Sequence, residues 1–308
     1  LQTAQPGALP PDIVSVEALA REISYASSAQ TRAGRALIRS VENLTGRLAL
    51  LRMAGDYAEA AATGSGFWDM LVERYRLTPE IVGGSLASIP PEGPVVVISN
   101  HPYGILDGLM TGWLLARARG DFRIVANSVF RKARELDRVI LPISFDPTPE
   151  AQRLNIATRR AALDYLGQGG CIAIFPGGTV STARTPFGRP MDPRWRSFTA
   201  RMIARSGAAV VPLYFDGQNS RLFQIASHLH QTLRLALLIK EFRVRVGAPV
   251  RMVLGEALPR AEIAARATDP AALMTYLREE TYRLSPEPLR DLGNGFDFEL
   301  AAARRKAG

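Results

Sequence analysis

"VVVISNHPYGILDGLM" (Val95–Met110) switches from one folding pattern to another within a single short stretch. Val95 to Ile98 are apolar without alternation, the pattern of a strand covered on both faces. From Ile105 the text "ILDGLMTGWLLARA" reads as a helix. Pro102 and Gly104 separate the two patterns and mark a turn. A buried strand that feeds directly into a helix opens a βα unit, so this stretch points to an α/β sheet. It also poses a chemical question. The strand runs into Ser99, Asn100 and His101, and Asp107 waits one short turn later.

The alternation continues outward. Residues 122–127, 139–145, 171–175 and 209–215 read as strands, and 155–170 and 193–207 as helices. Two further strands are expected around 243–250 and 250–255, on either side of a turn at Gly247 and Pro249. Asp269 caps a closing helix that has Pro270 at its first position. The expected fold is therefore α/β, a mostly parallel central sheet flanked by helices on both faces. In such sheets functional residues gather on loops at the carboxyl ends of strands.

An N-terminal helical segment precedes this domain. Val14 to Ala62 contain no proline, and Leu37, Val41, Leu44, Leu48 and Leu51 recur at helical spacing. Arg35, Arg39 and Arg47 lie mostly off that stripe. Two readings stay open: a core-facing helix with a solvated basic face, or an amphipathic helix lying on an anionic membrane. Glycines and prolines punctuate the region from Gly64 to Pro94. The expected division is a helical, membrane-docking segment over 1–80 and an α/β domain over 81–308.

The chain has 308 residues and a formal net charge of +9, and only Lys132, Lys240 and Lys306 among its basic residues are not arginine. Arginine suits bidentate recognition of phosphate, carboxylate or sulfonate. Nucleic acid, anionic lipid or an acidic protein would each suit such a surface. An aromatic content of 7% and the lack of a readable nucleic-acid motif weigh against a nucleic-acid-binding module. Cys171 is the sole cysteine, so no intrachain disulfide forms and a reducing compartment is expected. The first residues carry no charged region followed by an apolar core, so no secretory leader is expected.

Three strand ends carry unusual loops. In the first, His101 and Asp107 are close enough for the turn to fold back, so that the carboxylate holds one imidazole nitrogen and leaves the other free as a base. The plainer reading makes Asp107 a helix-start residue that satisfies backbone donors. In the second, "FPGGTVS" (Phe175–Ser181), paired glycines let backbone amides face an anion or a ligand oxygen. In the third, "VVPLYFDGQNSRLF" (Val210–Phe223), a polar loop either positions a headgroup or simply caps a turn.

Taken in order, the three blocks resemble the 1-acylglycerol-3-phosphate acyltransferase superfamily, the lysophospholipid acyltransferases. "NHPYGILD", "FPGGTVS" and "VVPLYF" stand where that family has its Asn-His…Asp pair, its Phe-Pro-Glu-Gly-Thr-x-Ser block and a later Val-Pro strand. The resemblance covers about Val95 to Pro259. Two features depart from the pattern: five residues rather than four separate His101 from Asp107, and Gly177 stands where the family usually has Glu. Both are similar to the branch that completes bacterial aminolipids.

The resemblance implies O-acylation of a lyso-lipid hydroxyl, with His101 as base and Asp107 as its partner. The acceptor would be a lyso-aminolipid with an ornithine-type or sulfonate headgroup, or, in the alternative, lysophosphatidic acid. Asn100, Arg131, Phe175, Pro176, Gly177, Gly178, Thr179, Ser181 and Arg221 would form the binding region, with Arg159, Arg160 and Arg184 as further anion contacts. The co-substrate would be an acyl carrier protein or coenzyme A thioester, the first favoured because it is acidic. No further cofactor is implied. His228 and His230 are two apart and point to different helix faces, so no metal is expected. An amphiphilic acceptor places the enzyme peripherally on the cytoplasmic face of the inner membrane.

Overall fold

A computed structural model describes residues 24, 26, 29, 31–54, 66–128, 134–144 and 148–298. Its strands are β1 (Thr78–Gly83), β2 (Val95–Ser99), β3 (Arg123–Asn127), β4 (Ile140–Ile143), β5 (Cys171–Ile174), β6 (Thr182–Ala183), β7 (Pro190–Met191), β8 (Ala209–Asp216) and β9 (Pro249–Leu254). Seven of them form one sheet in the order β1-β9-β8-β2-β5-β3-β4, and β6 with β7 forms a short antiparallel hairpin. Every pairing in the large sheet is parallel except β8 with β9. The expected α/β class, mostly parallel with helices on both faces, is the one observed.

Strand β2 shows why its sequence lacks alternation. Val95 and Val97 point into one apolar cluster, with Leu106, Met110 and Leu114 of helix Ile105–Ala118 and Ile239 and Phe242 of helix Gln231–Arg245. Val96 and Ile98 point into the other, with Leu166, Ile203 and Leu277 from helices Pro149–Gly167, Ser197–Ser206 and Pro270–Arg283. Successive side chains of a strand face opposite sides, so a sheet covered twice demands apolar residues at every position. Strand β2 has β5 on one side and β8 on the other. That places the ends of the three motif-bearing strands next to one another.

Three sequence expectations shift. The run near 243–250 is not a strand: Arg243, Val244 and Arg245 finish the helix Gln231–Arg245, and only Pro249–Leu254 forms a strand. The helix expected from 155 begins earlier, at Pro149, with Thr148 accepting from the Ala151 amide as its cap. Strand β1 was not anticipated; it lies at the sheet edge beside β9.

The N-terminal stripe also divides differently. Helices Arg32–Glu42 and Leu48–Ala54 are joined through Asn43–Arg47, where the chain kinks at Gly46, whose φ of 143° is not helical. A kink at a non-helical glycine breaks the phase of any helical repeat that runs across it. Ile38, Glu42 and Arg47 are buried, whereas Leu37, Leu44 and Leu48 are exposed. Arg47 therefore leaves the solvated face expected for it. Leu50, outside that stripe, reaches the sheet core together with Met70, Leu71, Tyr75 and Leu77, and Leu51 packs against it.

Candidate active site

The opening motif folds back on itself. Gly104, at φ 86°, turns the chain into the helix Ile105–Ala118, a conformation that side chains with a Cβ rarely adopt. Asp107 then lies in the first helical turn, fully buried, and its Oδ2 accepts from the amides of Tyr103 at 2.8 Å and Gly104 at 2.9 Å. The same oxygen lies 2.9 Å from His101 Nδ1. That separation is hydrogen-bonding distance, with the ring turned off the ideal line. Asp107 is thus the helix-start residue that satisfies backbone donors, and the same carboxylate lies against the His101 ring.

Burial pushes the Asp107 carboxyl above its ordinary value, while the imidazole and the two amides pull it back. The His101 side chain is 19% exposed. Nδ1 is turned to Asp107, which leaves Nε2 as the other polar atom of the ring. The ring lies against Phe175, with centroids 4.4 Å apart and planes 31° from parallel.

The second motif closes over the first. The Gly178 amide donates to Phe175 O at 3.0 Å, with Gly178 at φ 68°, so that amide is used within the turn itself. Pro176 O accepts from the Arg196 amide, and the Ser181 amide donates to His101 O at 2.8 Å. Thr179 Oγ1 accepts from Arg234 Nη2 at 2.8 Å. Arg234 is almost fully buried, donates also to Val180 O and Thr182 Oγ1, and ties the whole turn to the helix Gln231–Arg245.

The third motif is pinned to the first. Asn100 Oδ1 accepts from the Phe215 amide at 2.7 Å and its Nδ2 donates to Phe215 O at 3.0 Å. Both polar ends of Asn100 are thereby occupied in joining the ends of β2 and β8. The Tyr103 hydroxyl donates to Asp216 O at 3.1 Å, and Gly217 passes so close to that hydroxyl that a Cβ would overlap it.

Arg221 Nη1 donates to Gly188 O in the β6–β7 hairpin at 2.6 Å. Arg184 donates to Asn294 O, Arg159 stacks over Phe198, and Arg160 is exposed on the helix Pro149–Gly167. Arg131 lies outside the described residues. His228 contacts Ala183 O through Nε2, and His230 Nδ1 accepts from the Thr232 amide as a helix cap. Among the described residues no cluster of three His, Cys, Asp or Glu is placed to hold a metal. Burial pushes the Cys171 thiol up to about 12, so it stays protonated and unreactive.

One residue at the site was not anticipated. Asp192, fully buried, accepts on Oδ1 from the Ser181 hydroxyl at 2.5 Å and from the His101 amide at 3.2 Å, and on Oδ2 from Trp195 Nε1 at 2.8 Å. It belongs to none of the three motifs. Its only sequence mark is an acidic residue set among apolar and aromatic neighbours in "PMDPRW" (Pro190–Trp195).

An imidazole set against a buried carboxylate beside a glycine turn is an arrangement suited to taking a proton from a hydroxyl. A family model described as Acyltransferase matches residues 81–287. A lyso-glycine lipid O-acyltransferase of Phocaeicola vulgatus is 25% identical over 202 residues, 61% of this chain and 69% of that protein. One of Bacteroides thetaiotaomicron is 24% identical over 243 residues, 72% and 80% of the two chains. The crystal structure of the 1-acyl-sn-glycerophosphate acyltransferase of Thermotoga maritima superposes with a TM-score of 0.44 at 15% identity, over 86% of this chain and 87% of that one. With its matched region spanning most of the α/β domain, the chain belongs to the acyltransferase family and is an enzyme of that class.

Proposed function

We propose that this enzyme transfers a fatty acyl group from a thioester to the free hydroxyl of a lyso-aminolipid. The observation that carries the reading is the His101–Asp107 contact at 2.9 Å, set at the carboxyl end of β2 and roofed by the Phe175–Ser181 turn. The acceptor hydroxyl meets His101 Nε2, which takes its proton as the oxygen attacks the thioester carbonyl. Asp107 holds the ring and stabilises the imidazolium that forms. As the tetrahedral intermediate collapses, the carbon–sulfur bond breaks and the leaving thiolate takes the proton back from Nε2. Products are the ester and a free thiol, and no side chain is acylated.

The aminolipid headgroup is supported by the two lyso-glycine lipid O-acyltransferases, whose names state that acceptor class. An acidic acyl carrier protein is the preferred donor, because a net charge of +9 steers an acidic partner. No helix among the described residues is long and apolar enough to cross a membrane. Docking instead uses Leu37, Leu44 and Leu48, which are 47%, 87% and 46% exposed on two helices and the kink between them, alongside Arg32, Arg35, Arg39 and Arg52. Apolar insertion beside cationic side chains suits an anionic lipid surface, here the cytoplasmic leaflet.

The second reading, acylation of lysophosphatidic acid, makes a different prediction in cells. Lipidomics of a strain lacking this gene is expected to show a lyso-aminolipid accumulating and its O-acylated product lost. Accumulation of lysophosphatidic acid with normal aminolipids would select the second reading.

A further inference from the structure

Asp192 is a buried carboxylate that the reaction steps leave unused. We propose that it is the positioning residue that sets the His101 base against the Phe175–Ser181 turn; the proposal rests on the reading of His101 as the base. One oxygen, Oδ1, gathers the His101 amide and the Ser181 hydroxyl, so the strand end that carries the base and the turn that roofs it share a single acceptor. The other oxygen is fixed by Trp195 Nε1. The Asp192 backbone is held as firmly: its amide donates to the Tyr282 hydroxyl at 2.7 Å, and its carbonyl accepts from Arg278 Nη2 at 3.1 Å and the Gly295 amide at 2.8 Å. The carboxylate therefore has almost no freedom to follow a displaced His101 or Ser181.

Two consequences follow from this geometry. The Ser181 proton is committed to Asp192, so Ser181 Oγ meets a ligand only as an acceptor. And a Cβ at Gly177 would lie 3.3 Å from Asp192 Cβ, Cγ and Oδ2. Any side chain there would crowd that buried carboxylate. The glycine in this block is thus matched to the carboxylate that enters from the β7 side.

Asp192→Asn, alone and combined with Trp195→Phe, tests the proposal. Asparagine offers one acceptor where three donors converge, so its NH2 must oppose either Trp195 Nε1 or the His101–Ser181 pair. The single variant is expected to lose about 10- to 100-fold in kcat, the scale of a base displaced by a fraction of an ångström to an ångström, with KM for the thioester changed less than about twofold. Trp195→Phe removes the opposing donor and lets the amide oxygen return to His101 and Ser181. The double variant is then expected to recover most of the kcat of Trp195→Phe alone.

A residue that only packs gives the reverse order, because removing the indole adds a cavity to the first change. Melting temperatures of all three variants fix an assay temperature at which each is folded. Unchanged kcat in Asp192→Asn, or a double variant no faster than the single one, overturns the proposal. In that case a dead His101→Ala leaves the base reading standing, whereas an active His101→Ala removes both.

Discussion

His101→Ala is expected to lower kcat/KM for acylation of the lyso-lipid on the order of 10³-fold, the contribution of a positioned general base. The loss should appear in kcat, because the imidazole acts on the proton that moves in the transition state and not on the lipid tail. The fold should survive. The ring is partly exposed, and its packing partner is Phe175 at 4.4 Å, a contact worth about 1 kcal/mol. The chain built around β2 is secured instead by apolar side chains on both sheet faces. Denaturant unfolding should therefore separate a large kinetic loss from a small change in stability. Wild-type rates in His101→Ala would exclude the base.

Asp107→Ala is expected to damage both rate and stability. It releases the imidazole and also strands the buried amides of Tyr103 and Gly104 at the helix start. Leaving two buried donors without an acceptor costs about 2–5 kcal/mol in all. Asp107→Asn divides the two effects. Three donors converge on Oδ2, so the amide oxygen takes that place and keeps the ring orientation, while the charge that stabilises the imidazolium is lost. A fall of about 10²-fold in kcat is expected for Asn, and a larger one for Ala.

The pH dependence of unfolding gives the sign. Burial raises the folded-state value of Asp107 above its ordinary 3.8. The proton is held more tightly in the folded chain, so Asp107 contributes stability below its unfolded value and loses that contribution as pH rises through the folded one. The stability of Asp107→Asn relative to wild type should therefore improve from pH 4 to pH 7. A difference that moves the other way would show that the charged carboxylate is the form the fold prefers.

Much of this could be read from the sequence because β2, β5 and β8 are doubly buried and write that burial as unbroken apolar runs. Strand β1 escaped because it is an edge strand whose residues alternate between exposed and half-buried and include Pro79 and Glu80. The end of helix Gln231–Arg245 looked like a strand because Val244 and Val246 alternate with arginines; Val244 is in fact exposed, and packing of Ile239 and Phe242 decides the element. The His101–Asp107 contact was legible since the two residues are local. Asp192 was not: it meets His101 across 91 positions, and no local pattern encodes a contact of that span.

Asn100 and Gly178, which the resemblance places in the binding region, spend these polar groups on the fold: Asn100 clamps β2 to β8, and the Gly178 amide closes its own turn. A motif gives the residue and not which of its atoms remains free, and the second depends on tertiary hydrogen bonds. For Arg221 and Arg184, exposure and backbone-carbonyl partners show side chains that fasten loops.

The central claim is direct acyl transfer to a lipid hydroxyl by the His101–Asp107 pair. It is tested most directly by mixing the purified enzyme with an isotopically labelled acyl thioester and a lyso-aminolipid, then weighing lipid, thiol and protein by mass spectrometry. The account predicts one acyl group gained by the lipid as an ester for each thiol released, with no label left on the protein before or after the acceptor is added. Labelled protein, or thiol release with the lyso-lipid left unacylated, would contradict it.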